Sequence, residues 1–399
     1  MDRKTIIFLL VSAAVFTDMM VYSLIIPVLP SYAMSLGADE LTIGVIFGVF
    51  SIALLLFSIP IGLLSDRTGR RPIMVCGMLS LAAATIVFAL STNIYVLIVA
   101  RIIQGLSGAA TWSAGLALLA DTYGPEERGE KLGFAMSIMS VGMLLGPVIG
   151  GLIYDHLGYV PTFVIPAIVA STIGILFLLG KAPYPAIEKS DGTSYLKPIR
   201  QAPLVFFTCV AIVVIGAGTF GIVEPYMPVY LYDTFAATPT AIGLAFGFMS
   251  LLSAVTQPLA GRLYDRHGGR VLISVGLIAS ACVIAMAISM PTLLLTAAVF
   301  ALVGCTISFV LSPMMPLLSD MYGSGAEGGS QGFAYGVYNT LFSLGLALGP
   351  FAGGLAITTF SFPATLYGHA VLLFAAGLLC FAFIKGTRKR APAAPRSHI

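Results

Sequence analysis

Twelve apolar runs, each long enough to cross a bilayer, constrain this chain more than any single residue does. They fall near 5–34, 41–64, 72–92, 94–120, 131–154 and 159–180. After a polar stretch at 181–202, six more follow near 203–232, 239–263, 270–290, 292–319, 331–357 and 363–385. A hydrocarbon layer about 30 Å thick takes about 20 apolar residues as a helix. Within it every backbone polar group must be satisfied, which runs of this length achieve as helices. Of the 399 residues, 58% are hydrophobic and 9% charged, against about 25% charged in soluble domains. An all-α membrane protein of twelve transmembrane helices is expected. The opening Met1-Asp2-Arg3-Lys4 has the charge of a secretion signal, but the run after it is too long and lacks a small-residue cleavage site. It is read as a retained first span.

Charge tests the span count. With twelve spans, the clusters at Arg3/Lys4, Arg67/Arg70/Arg71, Arg128/Lys131, Lys181/Lys189/Lys197/Arg200, Arg262/Arg266/Arg270 and Lys385 to Arg396 all fall on one side. That side holds 19 of the 20 basic residues, and Arg101 lies inside the fourth span. The opposite loops carry acids such as Asp39, Glu40, Asp155 and Asp233. The bias of Lys and Arg toward cytoplasmic loops predicts cytoplasmic termini and a cytoplasmic 181–202 linker.

The halves repeat one another. LLADTYG at 118–124 returns as LLSDMYG at 317–323, and SDRTGRR at 65–71 as YDRHGGR at 264–270, both offset by 199. PVLPSY at 27–32 returns as PYMPVY at 225–230, offset by 198, and GPVIGG at 146–151 as GPFAGG at 349–354, offset by 203. Six plus six spans in one orientation form a parallel repeat, with substrate expected near the midplane between halves. The chain therefore divides into an N-terminal six-helix bundle (1–180), a linker (181–202) and a C-terminal bundle with a short basic tail (203–399).

Ionisable residues inside spans are costly and mark function by default. Asp18 lies roughly 20 Å along the first helix, near mid-membrane. Glu224 precedes the second P-x-x-P-x-Y element. It is not the repeat equivalent of Asp18, and it should lie closer to the outer face. Arg101 shares a helical face with Gln104, Gly105 and Gly108, and a buried guanidinium needs a carboxylate or carbonyls as partners. A structural role and a coupling role both fit it. A buried carboxyl can hold either a proton or a cation, and this exclusivity suffices for antiport. The competing possibility is a protonated acid that only bonds neighbouring helices. The five cysteines, Cys76, Cys209, Cys282, Cys305 and Cys380, have no metal-like spacing and read as packing residues. No metal site, catalytic constellation or nucleic-acid site is expected.

GLLSDRTGRR (62–71), RIIQG (101–105) and GMLLGPVIGG (142–151) resemble the signature motifs of drug:proton antiporters of the major facilitator superfamily. DMMVYSLIIPVLPSY, LLADTYGPEERGEKLGF, IVEPYMPVY and SPMMPLLSDMYG extend the likeness to the vesicular monoamine transporters, of which the chain resembles a bacterial homologue. It departs from them in its short loop after the first span, Ser35 to Leu41. Phe50 stands where the second span there carries a lysine, and Leu311 and Asn339 stand where acids are expected.

The resemblance implies a proton-coupled exporter of lipophilic organic cations, with the proton gradient as energy source and no cofactor. It would act as a monomer in the bacterial inner membrane. Glu224, Asp18 and Arg101 would couple protons. Asp66, Arg67, Gly69 and Arg70 would latch the cytoplasmic side against the start of span eleven, or serve only to set topology. Gly142, Gly146, Pro147, Gly150 and Gly151 would form a hinge or outer gate, or simple close packing. Tyr22, Trp112, Tyr226, Tyr230, Tyr335, Tyr338, Asn339 and Met315, with Met19 and Met314, are candidates to line the cavity alongside Asp18 and Glu224, although aromatic residues at such spacing also serve as core. The alternative reading is an exporter of a neutral metabolite such as a sugar.

Overall fold

The computed structural model describes residues 2–180, 203–322 and 330–383. Side chains at 125, 203, 319–322 and 330–335 are not among those described, so Tyr335 is placed only by its backbone. The linker with Lys181, Lys189, Lys197 and Arg200, and the tail from Lys385, lie outside the described residues.

The N-terminal half comprises α1 (Arg3–Leu24), α2 (Leu29–Ser35), α3 (Glu40–Thr68), α4 (Arg70–Leu90), α5 (Ile94–Thr122), α6 (Pro125–Leu157) and α7 (Tyr159–Leu179). The C-terminal half comprises α8 (Pro203–Phe235), α9 (Pro239–His267), α10 (Gly269–Ala287), α11 (Leu293–Tyr322), α12 (Ser330–Thr359) and α13 (Phe362–Phe383). Among the described residues, twelve helices are long and apolar enough to cross a membrane. The protein is a multi-pass integral membrane protein. The first run does not form one helix: α1 stops at Leu24 and α2 restarts at Leu29. Pro27 and Pro30 each remove a backbone donor there. The repeated prolines, Pro225 and Pro228, sit inside the continuous α8.

The repeat is visible atom by atom. Gly142 packs on the Phe16 carbonyl as Gly345 packs on that of Val214, and Gly105 packs on the Phe50 carbonyl as Gly304 packs on that of Met249. The short turns between α3 and α4 and between α9 and α10 both pass through a glycine with positive φ, Gly69 at 96° and Gly268 at 78°. That conformation is open to glycine at little cost. Beyond each turn an arginine satisfies carbonyls at the end of another helix. Arg71 Nε donates to Phe177 O (2.7 Å) and Nη2 to Leu178 O (2.5 Å), while Arg270 Nε donates to Phe381 O (2.7 Å). These carbonyls lie in the last described turn of their helices, where each arginine acts as a cap.

The halves meet through two pseudo-equivalent helix pairs, α3 with α12 and α6 with α9. Gly44 lies against the Pro350 carbonyl, and Gly243 against that of Pro147; Gly48 faces Phe351, and Gly247 faces Val148. All these contacts sit at the end carrying Asp39, Glu40 and Asp155, called here the acidic end. Tyr226 Oη locks it further by donating to Pro350 O (2.6 Å) and Glu40 O (3.0 Å), and Thr240 N donates to Asp155 Oδ2 (2.9 Å). Towards the opposite, basic end, α9 and α12 expose the polar residues Gln257 and Asn339, which a lipid-facing surface would not carry. The halves are joined at the acidic end and splay into a vestibule at the basic end.

Candidate functional site

Asp18 and Glu224 are buried, at 2% and 3% exposure, and each has one side-chain donor among the described residues. Trp112 Nε1–H, from α5, donates to Asp18 Oδ2 at 2.8 Å. Tyr22 Oη, one helical turn after Asp18, donates to Glu224 Oε2 at 2.6 Å. The second bond crosses from one half to the other. Asp18 Oδ1 has no partner among the described residues. Gly108 lies beside the carboxylate, where a Cβ would make ordinary contact with Oδ2 at 3.5 Å.

Arg101 takes the carbonyl option. Its Nε donates to Ile46 O (3.2 Å) and its Nη1 to Gln104 Oε1 (3.3 Å); Gln104 Nε2 then donates to Thr85 Oγ1 (3.3 Å), which donates to Leu81 O (2.7 Å). The guanidinium also lies over three rings, with Cζ 4.7 Å from the centroid of Phe50, 5.4 Å from Phe47 and 5.8 Å from Tyr22. These separations are within the range of cation–π attraction. Tyr22 is thus shared, its ring against Arg101 and Phe50 and its hydroxyl on Glu224. Gln104 is legible from its place on Arg101's helical face, but Phe50, Phe47 and Thr85 are site residues that periodicity alone does not reveal. The departure at Phe50 was the one signal.

Around this core, Met19, Tyr22, Phe50, Leu54 and Ala109 form an apolar cluster, with Ile61, Trp112, Met139 and Met143 packed on it. Met314 is core, Met315 is half-buried and Asn339 is exposed; Tyr338 is half-buried beside Phe342. Tyr226 and Tyr230 do not join the constellation. Tyr226 belongs to the acidic-end junction, and Tyr230 donates to Ile288 O (3.1 Å) and packs on Phe362 within the C-terminal half. Glu224 stands about two-thirds of the way along its 33-residue helix, on the acidic-end side of its middle, and Tyr230 lies nearly two turns beyond it.

The motif groups also find places. Gly142, Gly146 and Gly150 let α6 touch α1 at the carbonyls of Phe16, Met20 and Leu24, while Pro147 and Gly151 meet α9 across the halves. Asp66 pairs with Arg70, whose Nε also bonds Asp121 Oδ2 (3.0 Å) and whose Nη1 donates to Ser65 Oγ (2.6 Å). Arg67 is exposed. The side chains at the start of α12, where the latch would close, lie outside those described.

A bundle of twelve spans in two six-helix repeats, with two buried carboxyls beneath a vestibule, defines a membrane transporter and not an enzyme. The chain belongs to the Major Facilitator Superfamily, whose family description matches residues 11–233 and again 208–398. It is 27% identical over 372 residues to the synaptic vesicular amine transporter of Mus musculus, covering 89% of this chain and 68% of that protein. It is also 27% identical over 363 residues to multidrug resistance protein 2 of Bacillus subtilis, covering 89% of both. In fold it matches a bacterial homologue of the human lysosomal transporter Spinster, with a TM-score of 0.82 at 14% identity over 96% of this chain and 97% of the other.

Proposed function

We propose that the protein exports lipophilic organic cations, including monoamine-like drugs, in exchange for external protons. It would do so from a bacterial inner membrane with cytoplasmic termini, the orientation supported by the basic end. The vestibule would then open to the cytoplasm. The observation that carries the reading is the pair of buried carboxyls, Asp18 held by Trp112 and Glu224 held by Tyr22 one helical turn after Asp18, each with a single side-chain donor among the described residues.

Asp18 Oδ1 accepts the substrate's ammonium group, with the Trp112, Tyr22 and Phe50 rings and the Met139 and Met143 thioethers offering a face for a flat apolar body. Glu224 takes the proton. As a carboxylate it holds the Tyr22 bond and so joins the two halves. Protonation removes the charge that strengthens that bond, and the halves can then rock. Arg101 stays fixed in the N-terminal half and stabilises negative charge at the Tyr22–Glu224 bond. One pH unit of gradient supplies about 1.4 kcal/mol per proton, a tenfold substrate gradient. The relatives named for amines and drugs support this substrate class.

The test is uptake of a lipophilic amine into proteoliposomes under an imposed proton gradient. Gradient-driven uptake that Glu224→Gln abolishes is expected. If wild type takes up none of several amines, antiport of cations fails; if uptake persists unchanged in Glu224→Gln, the proton assignment fails.

A further inference from the structure

The two halves pack alike but differ in chemistry where they face each other. On the N-terminal side, Leu54 and Ala109 line the apolar cluster around Asp18 and Trp112. Offset by 199, their counterparts are Ser253 and Ser308, whose hydroxyls bond at 2.9 Å. Gln257, the counterpart of Ser58, donates from Nε2 to Ser253 Oγ at 3.2 Å. The correspondence is geometric, since Ser113 Oγ donates to Ser58 O (3.1 Å) as Ser312 Oγ donates to Gln257 O (3.3 Å). The acid and its donor are not repeated: Gly216 and Leu311 occupy the places of Asp18 and Trp112, and they touch each other as that pair does. One half offers a charge in an aromatic box, and the other offers hydroxyls and an amide.

Gln257 is open to the vestibule. Phe248, Leu251, Val255 and Leu259 form an exposed apolar stripe within about 40° of Val255 round α9. Ser253 and Gln257 lie about 160° and 200° from Val255, on the side where Phe246 and Met249 are buried. Gln257 is nevertheless exposed, while Ser253 is half-buried. Among the described residues nothing bonds the Gln257 amide oxygen. Because α3 and α9 are related by the repeat, Ser253 sits at the depth of Leu54, level with the Asp18 carboxylate.

The geometry points to a second, uncharged subsite in the C-terminal half, in which Gln257 and Ser253 bind a hydroxyl or carbonyl group at the far end of the cation held by Asp18. The inference rests on Asp18 being the ammonium site. It gives the transporter a preference for amphipathic amines with a polar group opposite the nitrogen. A hydroxyl placed there gains hydrogen bonds that a purely apolar amine cannot make.

Trp112, the single tryptophan of the chain, bonds Asp18 and reports on occupancy by its emission. Phenethylamine and tyramine, which adds one ring hydroxyl, are titrated against detergent-solubilised protein. Tyramine is expected to bind about tenfold tighter. In the Ser253→Ala/Gln257→Leu double variant that advantage falls below about twofold while phenethylamine affinity holds, which also shows the variant folded. A wild type without preference, an advantage that survives the double variant, or equal weakening of both amines overturns the subsite. If phenethylamine binds and Asp18→Asn abolishes it, the ammonium site stands whatever happens to the subsite. If neither amine alters Trp112 emission in wild type, both fall.

Discussion

Tyr22→Phe removes one oxygen atom, and its effect can be worked from the geometry. The hydroxyl is the side-chain donor to Glu224, both residues are buried, and the bond spans the two halves at 2.6 Å. A hydrogen bond to a charged group contributes about 1.5–3 kcal/mol. If rocking of the halves stretches this bond, its loss favours the conformer open at the acidic end by about 2 kcal/mol, roughly thirtyfold in population. The population can be read from maleimide labelling of a cysteine at Ile43, which is 1% exposed and packed in the acidic-end core. The native cysteines must first be removed, because Cys76 and Cys282 are exposed. Labelling tracks the open fraction when closing is fast relative to reaction, so Tyr22→Phe should raise the rate about thirtyfold. In the Glu224→Gln background, where the acceptor is uncharged, the same change should raise it only a few-fold. A rise below about threefold in wild type, or equal rises in both backgrounds, refutes the argument that this bond restrains the halves.

Other perturbations probe separate parts of the bundle. Tyr226→Phe loses one hydroxyl proton shared between two carbonyls across the acidic end; at about 1 kcal/mol, labelling at Ile43→Cys should rise roughly fivefold. Gly243→Ala puts a methyl against the Pro147 carbonyl where backbones are in contact, so the acidic end should fail to close and cation uptake should fall at least tenfold. Arg101→Lys keeps the charge but loses the planar fork to Ile46 and Gln104 and the stacking on Phe50; uptake should drop by an order of magnitude, and full activity would show that charge alone matters. Asp39 caps α3 by accepting from Thr42 N at 2.8 Å, and bonds from Thr42 hold its carboxyl below the usual range. A carboxyl with a lowered folded value stabilises above its unfolded value and loses that effect as pH falls through the folded one. Asp39→Ala should therefore lower thermal stability near neutral pH, and the loss should shrink as pH falls below the ordinary carboxylate range.

Much of the site's inventory is legible in one dimension. Asp18, Arg101 and Glu224 stand out because charge is costly in lipid, and their depths follow from helix rise. Their partners do not follow. Arg101 needed either carboxylate or carbonyl; the angle at which α3 crosses α5, allowed by Gly105 on the Phe50 carbonyl, presents Ile46 O and the Phe47 and Phe50 rings, and α1 adds that of Tyr22. Tyr226 and Tyr230 share a helix with Glu224 yet serve the closed acidic end, because their position along α8 takes them past the level of the carboxyls. Ser253, Ser308 and Gln257 are unremarkable residues in the linear chain and acquire meaning only when α9 and α11 are laid over α3 and α5.

By itself the sequence determines a helical membrane protein of twelve spans in two parallel halves, because hydrocarbon admits no unsatisfied backbone and because basic residues resist translocation. It also determines which charged residues lie within the spans. The tertiary structure alone decides that Glu224 answers to Tyr22 of the other half, that one Asp18 oxygen has no partner among the described residues, and that the halves close at the acidic end. Those outcomes depend on approaches of glycine to carbonyl too close to admit a side chain, across helices far apart in the chain. Composition and period locate a residue along a helix and on its face, but not what the facing helix brings to meet it.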